Sequence, residues 1–548
     1  MSFLQNILAS LQKSGDTAVL REIRDGRVTA VAGRELLDQI ARARAFLAAH
    51  GLKNGDRCAL YANNSVRWVA MDLAIMAEGL IVVPLYSRQA PAELVAMMKD
   101  CSPALVCCGD AILRDGLVRE WPDAPAQLLF DDIFAVPAGT NSDPQLSDSD
   151  PVTIIYTSGT SGEAKGVILN ASNIAHMLKC INARLDQLMH GSQQQNRVFH
   201  YLPFVFAGSW MLLLTSLVRG SLLSINTDLS KIAQDMRLVA PDYFLNVPAL
   251  LERMRRAVDE QLWQAGGFVQ AIYSRAKSAW VRKHDGRSRS LDWLWLSLAN
   301  SAIFPTIRKK MIGHNLRALI CGSAPLAVET QLFFMMLGIP VLQSYGLTET
   351  TAICTLDDPD SYEAGRVGPA IPGIEMKLAE NEEIVVRGPN IFPGYWNRPE
   401  ETSKALRDGW FHTGDQGEVD ATGTWRIAGR IKNLIILGSG HNIAPEPIEE
   451  KVLKQLPAGA QVVLVGNAKG YLSAIITGNV TPSQAQAALN AVNPLFPHYK
   501  QVRAFHIRNE AFTIENGLLT ANGKLKRDAI ARQFQNEIEE MYRVKVAV

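Results

Sequence analysis

The chain has 548 residues and a hydrophobic share of 47%, which predicts more than one domain and a large core. Its formal net charge of +1 gives no general case for nucleic-acid binding. Its seven cysteines form no CxxC pair and no metal-ligand spacing, so we expect reduced thiols in a reducing compartment. No signal peptide and no transmembrane stretch is recognised, and we expect a cytoplasmic protein, with peripheral attachment to a membrane left open.

The N-terminal part of the chain alternates helical patterns with short apolar runs. Apolar residues at helical spacing predict one helix between Thr29 and His50 and a second over 66–79. Such alternation is typical of a layered α/β domain. Strands are predicted at 57–61, 81–85 and 105–108. The polar stretch 141–150 is predicted to be a loop that leads to the next strand.

That next strand, a buried apolar run from Val152 to Tyr156, precedes a loop rich in glycine and hydroxyl residues that ends at Lys165. The loop offers unobstructed N–H groups, hydroxyl donors and one compact cation, which are the groups needed to hold a polyphosphate. It is not a Walker loop, because Ala164 precedes the lysine and Gly166 follows it. A surface linker is the alternative, but the preceding strand and the terminal lysine argue against it.

Further along, the chain carries predicted strands at 316–325 and 341–345 and a glycine-punctuated β region from 365 to 430. Beyond residue 430 the pattern is that of a small α/β unit, with an apolar run at 434–437, short strands at 461–465 and 473–476 and a helix from Pro447. Three motifs lie in this part of the chain. They are Gln343-Ser-Tyr-Gly-Leu-Thr-Glu-Thr350, Thr413-Gly-Asp415 followed by Gly429-Arg430, and Gly523-Lys524.

Together with the glycine-rich loop, these motifs resemble those of the adenylate-forming superfamily of acyl-CoA synthetases, adenylation domains and luciferases. The resemblance covers nearly the whole chain and is greatest to bacterial long-chain fatty acyl-CoA synthetases. It implies an α/β protein with a large N-terminal domain, residues 1–430, built of layered α/β subdomains and a β-rich subdomain. A small mobile C-terminal α/β domain, residues 431–548, is expected to follow a hinge near Lys432.

The resemblance also implies a site for ATP. Glu349 and Thr157 are expected to bind Mg²⁺, and Tyr345 to stack on adenine. Asp415 is expected to accept hydrogen bonds from both ribose hydroxyls, and Arg430 to bind ribose or phosphate oxygens. The residues expected to contact the nucleotide are Thr157, Ser158, Gly159, Thr160, Lys165, Gly322, Ser323, Ala324, Pro325, Tyr345, Gly346, Thr348, Asp415, Ile427 and Arg430.

Catalysis and the acceptor thiol are assigned by the same resemblance. Lys524 is expected to contact the reacting carboxylate and the α-phosphate. The residues expected to be catalytic are Lys524, Glu349, Thr157 and Lys165. Coenzyme A, the acceptor in most relatives, is expected to pass a face formed by Gly438, Ser439, Gly440 and His441.

An acyl pocket is predicted around Phe206, Trp210 and Val247. Phe206 stands where long-chain relatives usually carry a histidine, which puts a gating histidine in doubt. Amino-acid adenylation domains carry an aspartate at the position of Ala207. An amino-acid substrate is therefore disfavoured, because its buried ammonium would lack a carboxylate. The strongly apolar run 211–217 suits either core packing or the lining of the pocket.

Residues 253–310 hold twelve Lys/Arg against four acids, interleaved with aromatics. Long-chain relatives carry a helical insertion at this place. A basic face beside aromatic side chains suits a membrane surface, while the alternative is a solvated basic helix that packs its aromatics inward. RNA is disfavoured, because no base-reading motif accompanies the segment.

The predicted activity is ATP-dependent activation of a medium-to-long-chain fatty acid to acyl-AMP, with release of pyrophosphate, and transfer of the acyl group to coenzyme A. One alternative is a ligase that loads a carrier protein, although no insertion near the hinge supports it. A second is an inactive nucleotide-binding adaptor at a membrane surface. The intact set Lys165, Glu349, Asp415, Arg430 and Lys524 argues against that adaptor.

Overall fold

A computed structural model describes residues 2–139, 144–158, 164–192, 194–264, 266–284, 286–313, 315–520 and 523–543. Gly159 and Thr160 of the predicted phosphate loop, and the start of the predicted loop 141–150, lie outside the described residues.

The described chain forms alternating helices and strands. The helices are α1 Phe3–Ser14, α2 Gly33–Ala49, α3 Val66–Ala77, α4 Pro91–Cys101, α5 Ala111–Glu120, α6 Phe130–Ala135, α7 Ala171–Leu188, α8 Ala207–Val218, α9 Ile232–Val239, α10 Pro248–Gln264, α11 Gly267–His284, α12 Asp292–Leu298, α13 Phe304–Ile312, α14 Val328–Met336, α15 Pro399–Ala405, α16 Glu446–Leu453, α17 Pro482–Val492, α18 Arg527–Gln533 and α19 Gln535–Arg543. The strands are β1 Ala18–Arg24, β2 Arg27–Ala32, β3 Arg57–Tyr61, β4 Ile81–Leu85, β5 Leu105–Cys108, β6 Gln127–Leu129, β7 Pro151–Ser158, β8 Ala164–Asn170, β9 Arg197–His200, β10 Leu222–Asn226, β11 Tyr243–Asn246, β12 Ala318–Cys321, β13 Val341–Tyr345, β14 Thr355–Leu356, β15 Glu375–Leu378, β16 Glu383–Arg387, β17 Leu406–Arg407, β18 Trp410–Val419, β19 Trp425–Arg430, β20 Ile435–Ile436, β21 Asn442–Ile443, β22 Gln461–Val465, β23 Leu472–Thr477 and β24 Val502–Arg508.

Two large, mostly parallel sheets form the greater part of the molecule. The first has the order β6-β5-β3-β4-β7-β8, and only its edge strand β8 runs antiparallel to its neighbour. The second has the order β14-β13-β12-β11-β9-β10-β1-β2, with antiparallel strands at both edges. The inner strands are continuous apolar runs buried on both faces, as expected for parallel strands covered by helices.

A third, antiparallel sheet of β15 to β19 follows and confirms the predicted β-rich region, although helix α15 interrupts it. Beyond it lie a short hairpin of β20 and β21 and a three-stranded sheet β22-β23-β24. The C-terminal strands and helices have separate apolar clusters of their own. The predicted α/β class, with a large N-terminal and a small C-terminal domain, is confirmed.

The predicted helix between Thr29 and His50 is wrong at its start. Residues 27–32 form strand β2, which pairs with β1 in an antiparallel hairpin, and the helix begins only at Gly33. The hairpin β1–β2 forms one edge of the second sheet. Pairing within that sheet therefore decides the conformation of residues 27–32. The basic segment 253–310 is helical, as expected, and forms α11, α12, α13 and most of α10, with a π-helical turn at Ala299–Ile303.

Candidate active site

The phosphate-binding stretch is a β-hairpin, and Lys165 belongs to its second strand. Thr157 pairs with Lys165, and Tyr156 with Gly166, in the antiparallel ladder of β7 and β8. A Cβ on Gly166 would lie 2.7 Å from Ile154 Cγ2, so only glycine fits there. Ser158 ends β7. The hairpin therefore fixes the direction of the lysine at the edge of the first sheet.

Tyr395, which sequence reasoning missed, joins this hairpin to Glu349. Its hydroxyl donates to Glu349 Oε1 at 2.8 Å, and Lys165 Nζ lies 5.3 Å from the centre of its ring. The backbone of Tyr395 forms a bridge with Val167, and Phe392 N donates to the carbonyl of Glu349 at 2.9 Å. Burial and the charge of Glu349 raise the pKa of Tyr395, so it remains a neutral donor. In the sequence, Tyr395 is marked only by its place directly after Gly394 in a loop, which is weak evidence for a residue of the site.

A buried carboxylate is held between the second and third sheets. Tyr345 Oη donates to Asp415 Oδ2 at 2.8 Å, and Arg430 Nε lies 2.8 Å from Asp415 Oδ1. Asp415 and Arg430 face each other across β18 and β19, and Ile427 pairs with Gly417 in the same ladder. Burial raises the pKa of Asp415, while Arg430 and Tyr345 oppose that rise.

The predicted opposite wall for adenine begins where β12 ends. A Cβ on Gly322 would lie 2.7 Å from Ser344 Oγ, so the loop passes close to β13. Ser323 has φ +72°, in the left-handed region, and Ser323, Ala324 and Pro325 are exposed. Gly346 is equally constrained, because a Cβ there would lie 2.4 Å from Ile353 Cα. The next residues turn, and a short 3-10 helix at Thr348–Thr350 carries Glu349.

Lys524 reaches the same crevice from the C-terminal part of the chain. Burial and the charge of Arg430 lower the pKa of Lys524, and Asp415 and Glu349 oppose that shift. Lys524 also keeps exposed surface. Its ammonium interacts electrostatically with Arg430, Asp415 and Glu349. Its backbone forms a tight turn with Thr520, in which Thr520 N donates to Lys524 O at 2.8 Å.

The predicted hinge residue, Lys432, adds a further cation. Burial lowers its pKa, Lys165 and Arg430 lower it further, and Glu349 opposes the shift. It lies in a 3-10 turn, Ile431–Asn433, directly after β19. The described crevice thus gathers more positive than negative groups, which suits a polyphosphate. Its cations are Lys165, Arg430, Lys432 and Lys524, and its carboxylates are Glu349, Asp415 and Glu446.

The predicted thiol-acceptor face is an exposed loop whose contacts lie within the C-terminal unit. Gly438 N donates to Lys469 O at 2.8 Å, and Ser439 Oγ lies 2.9 Å from His441 Nδ1. The ring of His441 stacks on Tyr499, with 4.3 Å between the ring centres. Gly440 has φ +84°, which completes the turn.

The predicted acyl-pocket residues separate into two groups. Phe206, at the N-terminus of α8, is half-buried, with its ring centre 5.8 Å from that of Tyr86, and Val247 is also half-buried. Trp210 is 2% exposed, and its indole N–H donates to Asp72 Oδ2 at 2.9 Å. That bond links α8 to α3, and the assignment of Trp210 to the acyl pocket stays a prediction. Residues 211–217 also pack in the core.

Comparisons with known proteins agree with this architecture. Residues 9–396 match the family described as AMP-binding enzyme, and residues 432–545 match the AMP-binding enzyme C-terminal domain. The chain is 28% identical over 576 aligned positions to Long-chain-fatty-acid–CoA ligase FadD15 of Mycobacterium bovis, covering 96% of this chain and 94% of that protein. It is 28% identical over 557 positions to Long-chain-fatty-acid–CoA ligase 6 of Homo sapiens, covering 89% and 78%.

Solved structures of low sequence identity share the fold. The adenylation domain of a carboxylate reductase from Mycobacterium chelonae matches with a TM-score of 0.78 at 20% identity, over 99% of this chain and 91% of that one. The o-succinylbenzoate CoA synthetase of Bacillus subtilis, in complex with its acyl-adenylate intermediate, matches with a TM-score of 0.75 at 20% identity, over 96% and 97%.

Proposed function

The chain belongs to the AMP-binding enzyme family, and we propose on that basis that it activates a medium-to-long-chain fatty acid with ATP and transfers the acyl group to coenzyme A. The names of its relatives, long-chain-fatty-acid–CoA ligases, support this substrate class. The observation that carries the proposal is one crevice in which Tyr345, Asp415 and Arg430 meet Glu349 and Lys524.

In the proposed complex, Tyr345 and the exposed 323–325 turn hold adenine between them, and Asp415 receives the ribose hydroxyls. Each oxygen of Asp415 already accepts one bond, from Tyr345 or from Arg430. An ionised carboxylate has about four acceptor positions, so both ribose hydroxyls can bind without breaking either bond. The two existing bonds hold the carboxylate in place before the nucleotide arrives.

The residues present fit a magnesium ion. Mg²⁺ is usually held by one or two carboxylates together with substrate phosphates and water. Glu349 is half-buried, and Tyr395 donates to its Oε1 and so orients the carboxylate. Among the described residues there is no cluster of three or more His, Cys, Asp or Glu suited to a metal. Glu349 and Thr157 would hold Mg²⁺, which when bound neutralises phosphate charge.

In the first half-reaction, a carboxylate oxygen of the fatty acid attacks the α-phosphorus of ATP. A bond forms between this oxygen and the α-phosphorus, the bond from the α-phosphorus to the oxygen of the β-phosphate breaks, and pyrophosphate leaves. Negative charge on the phosphoryl oxygens is the main obstacle, so fixed cations lower the barrier. In this proposal Lys524 holds the carboxylate and α-phosphate oxygens together, while Lys165 contacts the β- and γ-phosphates.

In the second half-reaction, the thiol of coenzyme A loses its proton to solvent and its sulfur attacks the acyl carbonyl. The C–S bond of the thioester forms, the bond from the acyl carbon to the phosphate oxygen breaks, and AMP leaves with that electron pair. We propose that the C-terminal domain, residues 431–548, turns about Lys432 for this step. Lys524 would then withdraw, and the loop from Gly438 to His441 would line the path of the pantetheine arm. The position of Lys432, in the turn directly after β19, supports this assignment.

An ATP–pyrophosphate exchange assay with saturated fatty acids of increasing chain length tests the first half-reaction. We expect exchange that requires both the acid and Mg²⁺. No exchange with any acid would refute the proposal and favour a nucleotide-binding adaptor. Coenzyme A and a phosphopantetheine-bearing carrier protein are then compared as acceptors of the pre-formed acyl-AMP. Faster transfer to the carrier would replace the coenzyme A assignment.

We also propose that the helical segment 253–310 attaches the protein to an anionic membrane surface. Phe268 is 79% exposed and Trp293 67% exposed, beside exposed Leu291 and Leu298. Other aromatics pack inward, including Tyr273, so both interpretations of the sequence hold for part of the segment. No described helix is long and apolar enough to cross a membrane. Exposed aromatics among cations are typical of surface attachment.

Vesicle flotation tests this attachment. We expect the protein to float with anionic vesicles at low salt and to dissociate as the salt concentration rises, because screening weakens its attraction to the lipid charge. The double variant Phe268→Asp with Trp293→Asp should lose flotation. Ile112→Asp, which changes a side chain that is 82% exposed on α5, is the control and should float like the wild type. Equal flotation of all three proteins would refute the assignment.

A further inference from the structure

Within the described parts of the chain, two ion pairs cross from the N-terminal units to the C-terminal unit, and neither belongs to the crevice. Lys526 Nζ lies 2.8 Å from Glu93 Oε1 on α4. Lys454 Nζ, at the end of α16, lies 2.5 Å from Glu329 Oε2 in the first turn of α14. The partners are 433 and 125 residues apart in the chain, so each pair reports the present placement of the C-terminal unit.

The first pair is coupled to Lys524 through the backbone. Lys526 is two residues beyond Lys524, and Leu519 bridges to Leu525 across the same tight turn. Lys526 N also donates to Leu518 O at 2.9 Å. Only Leu525 separates Lys524 from Lys526, and Lys526 is the residue that precedes α18. Fixing Lys526 on α4 therefore limits how far Lys524 can move from its present place.

Glu93 is oriented to receive the lysine. Gln89 Nε2 donates to Glu93 Oε2 at 2.8 Å, which leaves Oε1 to Lys526. The hydrogen bonds from these two side chains keep the pKa of Glu93 below its ordinary value although burial opposes them. Lys454 is similarly oriented by Glu450, whose Oε1 lies 2.8 Å away, one turn earlier on α16. Both pairs are thus preset ionic contacts between elements of different units.

We propose that Glu93–Lys526 and Glu329–Lys454 are positioning pairs that hold the C-terminal domain in the adenylation pose, with Lys524 in the crevice. The inference rests on the proposed two-step function. When the domain turns for thioester formation, both pairs must separate, because each has one partner in either unit. The pairs therefore favour the first half-reaction over the second.

The ratio of the two half-reaction rates measures this preference. If the poses exchange quickly, each rate is its intrinsic constant multiplied by the fraction of molecules in the competent pose. Their ratio therefore changes by the full factor by which the equilibrium between the poses changes, whichever pose predominates. Partly exposed ion pairs contribute little, so we expect Glu93→Gln and Glu329→Gln each to raise the thioester-to-adenylation ratio roughly two- to fivefold.

Both rates are measured on the full chain, adenylation as ATP–pyrophosphate exchange and thioester formation from supplied acyl-AMP. The double variant should show about the product of the two single effects, because the pairs lie on different elements. Lys526→Met should act like Glu93→Gln, and combining those two should add nothing. Asp38→Asn, which removes an ion pair to Arg42 within α2, is the control and should leave the ratio unchanged.

A second measurement does not depend on catalysis. All seven native cysteines are buried, so dyes can be attached to cysteines introduced at the exposed positions Ser403 and Ser483. Glu93→Gln and Glu329→Gln should shift the distribution of energy transfer between the dyes. An unchanged ratio with an unchanged distribution, or an equal loss of both half-reactions, overturns the proposal. Absent exchange in the wild type with shifted distributions in the variants would overturn the proposed function and keep the pairs as positioning contacts.

Discussion

Replacing Lys524 by alanine tests the proposed chemistry most directly, because the side chain can be removed without disturbing the turn that carries it. Lys524 takes part in the turn through its main chain only: Thr520 N donates to Lys524 O at 2.8 Å, and Lys524 N donates to the side-chain Oγ1 of Thr520 at 3.1 Å. Gly523, with φ +72°, supplies the left-handed residue. Alanine keeps all of these contacts, so Lys524→Ala removes the ammonium and little else.

The size of the effect follows from the surroundings of the ammonium. Burial and Arg430 lower the pKa of Lys524 from 10.5, while Asp415 and Glu349 oppose the shift, so its ammonium interacts with these three groups although Lys524 keeps exposed surface. Loss of one such donor to a developing charge costs roughly 10²–10³ in rate, or about 3–4 kcal/mol. We expect that loss in ATP–pyrophosphate exchange. The lowered pKa also predicts that wild-type exchange declines with rising pH before an ordinary lysine would lose its proton.

The control half-reaction starts from supplied acyl-AMP. There Lys524→Ala should form the thioester within about twofold of the wild-type rate, because the lysine has withdrawn in that pose. Arg532→Ala removes an exposed cation from α18 of the same domain and should leave both half-reactions unchanged. Equal damage by Lys524→Ala in both half-reactions would refute the reasoning and remove the support for a hinge at Lys432.

Glu349→Gln should lower pyrophosphate exchange by roughly 10² or more, because a charge and a magnesium ligand are lost; an unchanged rate at limiting Mg²⁺ would remove Glu349 from the metal site. Burial raises the pKa of Asp72 to about 7 in the folded protein, whereas an aspartate in the unfolded chain has a pKa of about 3.9. The folded state therefore binds the proton more tightly, and the free energy of unfolding falls as pH rises from about 4 to 7. Asp72→Asn should therefore melt above the wild type at pH 8 and close to it at pH 4 in calorimetry, and parallel pH profiles would contradict this. Gly166→Ala should lower the melting temperature and raise the KM for ATP, because the new Cβ would lie 2.7 Å from an Ile154 side-chain carbon, whereas Gly116→Ala, with open space around it, should do neither.

The sequence predicts the inner strands well, because each is an apolar run bounded by turn residues. The bounds of β3, β4, β5, β13 and β22 are those predicted. The β1–β2 hairpin was not predicted. Five of the six β2 residues are partly or fully exposed along one edge, so no buried run marks it, and only its pairing with β1 makes it a strand.

The structure brings together Tyr345, Asp415 and Arg430, which the motifs assign to one nucleotide site. Tyr345 and Arg430 each end a strand, and Asp415 faces Arg430 from within β18. Tyr395 was missed, since its role depends on a loop crossing β8, and no local pattern records that crossing. Trp210 was assigned to the pocket because an apolar helix looks alike whether it lines a cavity or a core. Its hydrogen-bond partner, Asp72, lies 138 residues earlier in the chain, and no local pattern records that contact.

Arg430 stands at the last position of β19, one residue before the turn that begins the C-terminal unit. Its backbone faces Asp415 in the ladder with β18, so the strand pairing anchors it to the third sheet. A rotation about Lys432 would carry Lys524 away but leave Arg430, Asp415 and Tyr345 where they are. The nucleotide end of an acyl-adenylate would remain bound while the C-terminal domain rotates. The reactive anhydride would thus stay bound between the two poses and would not enter bulk water. Hydrolysis there would destroy the acyl-adenylate that ATP was used to make.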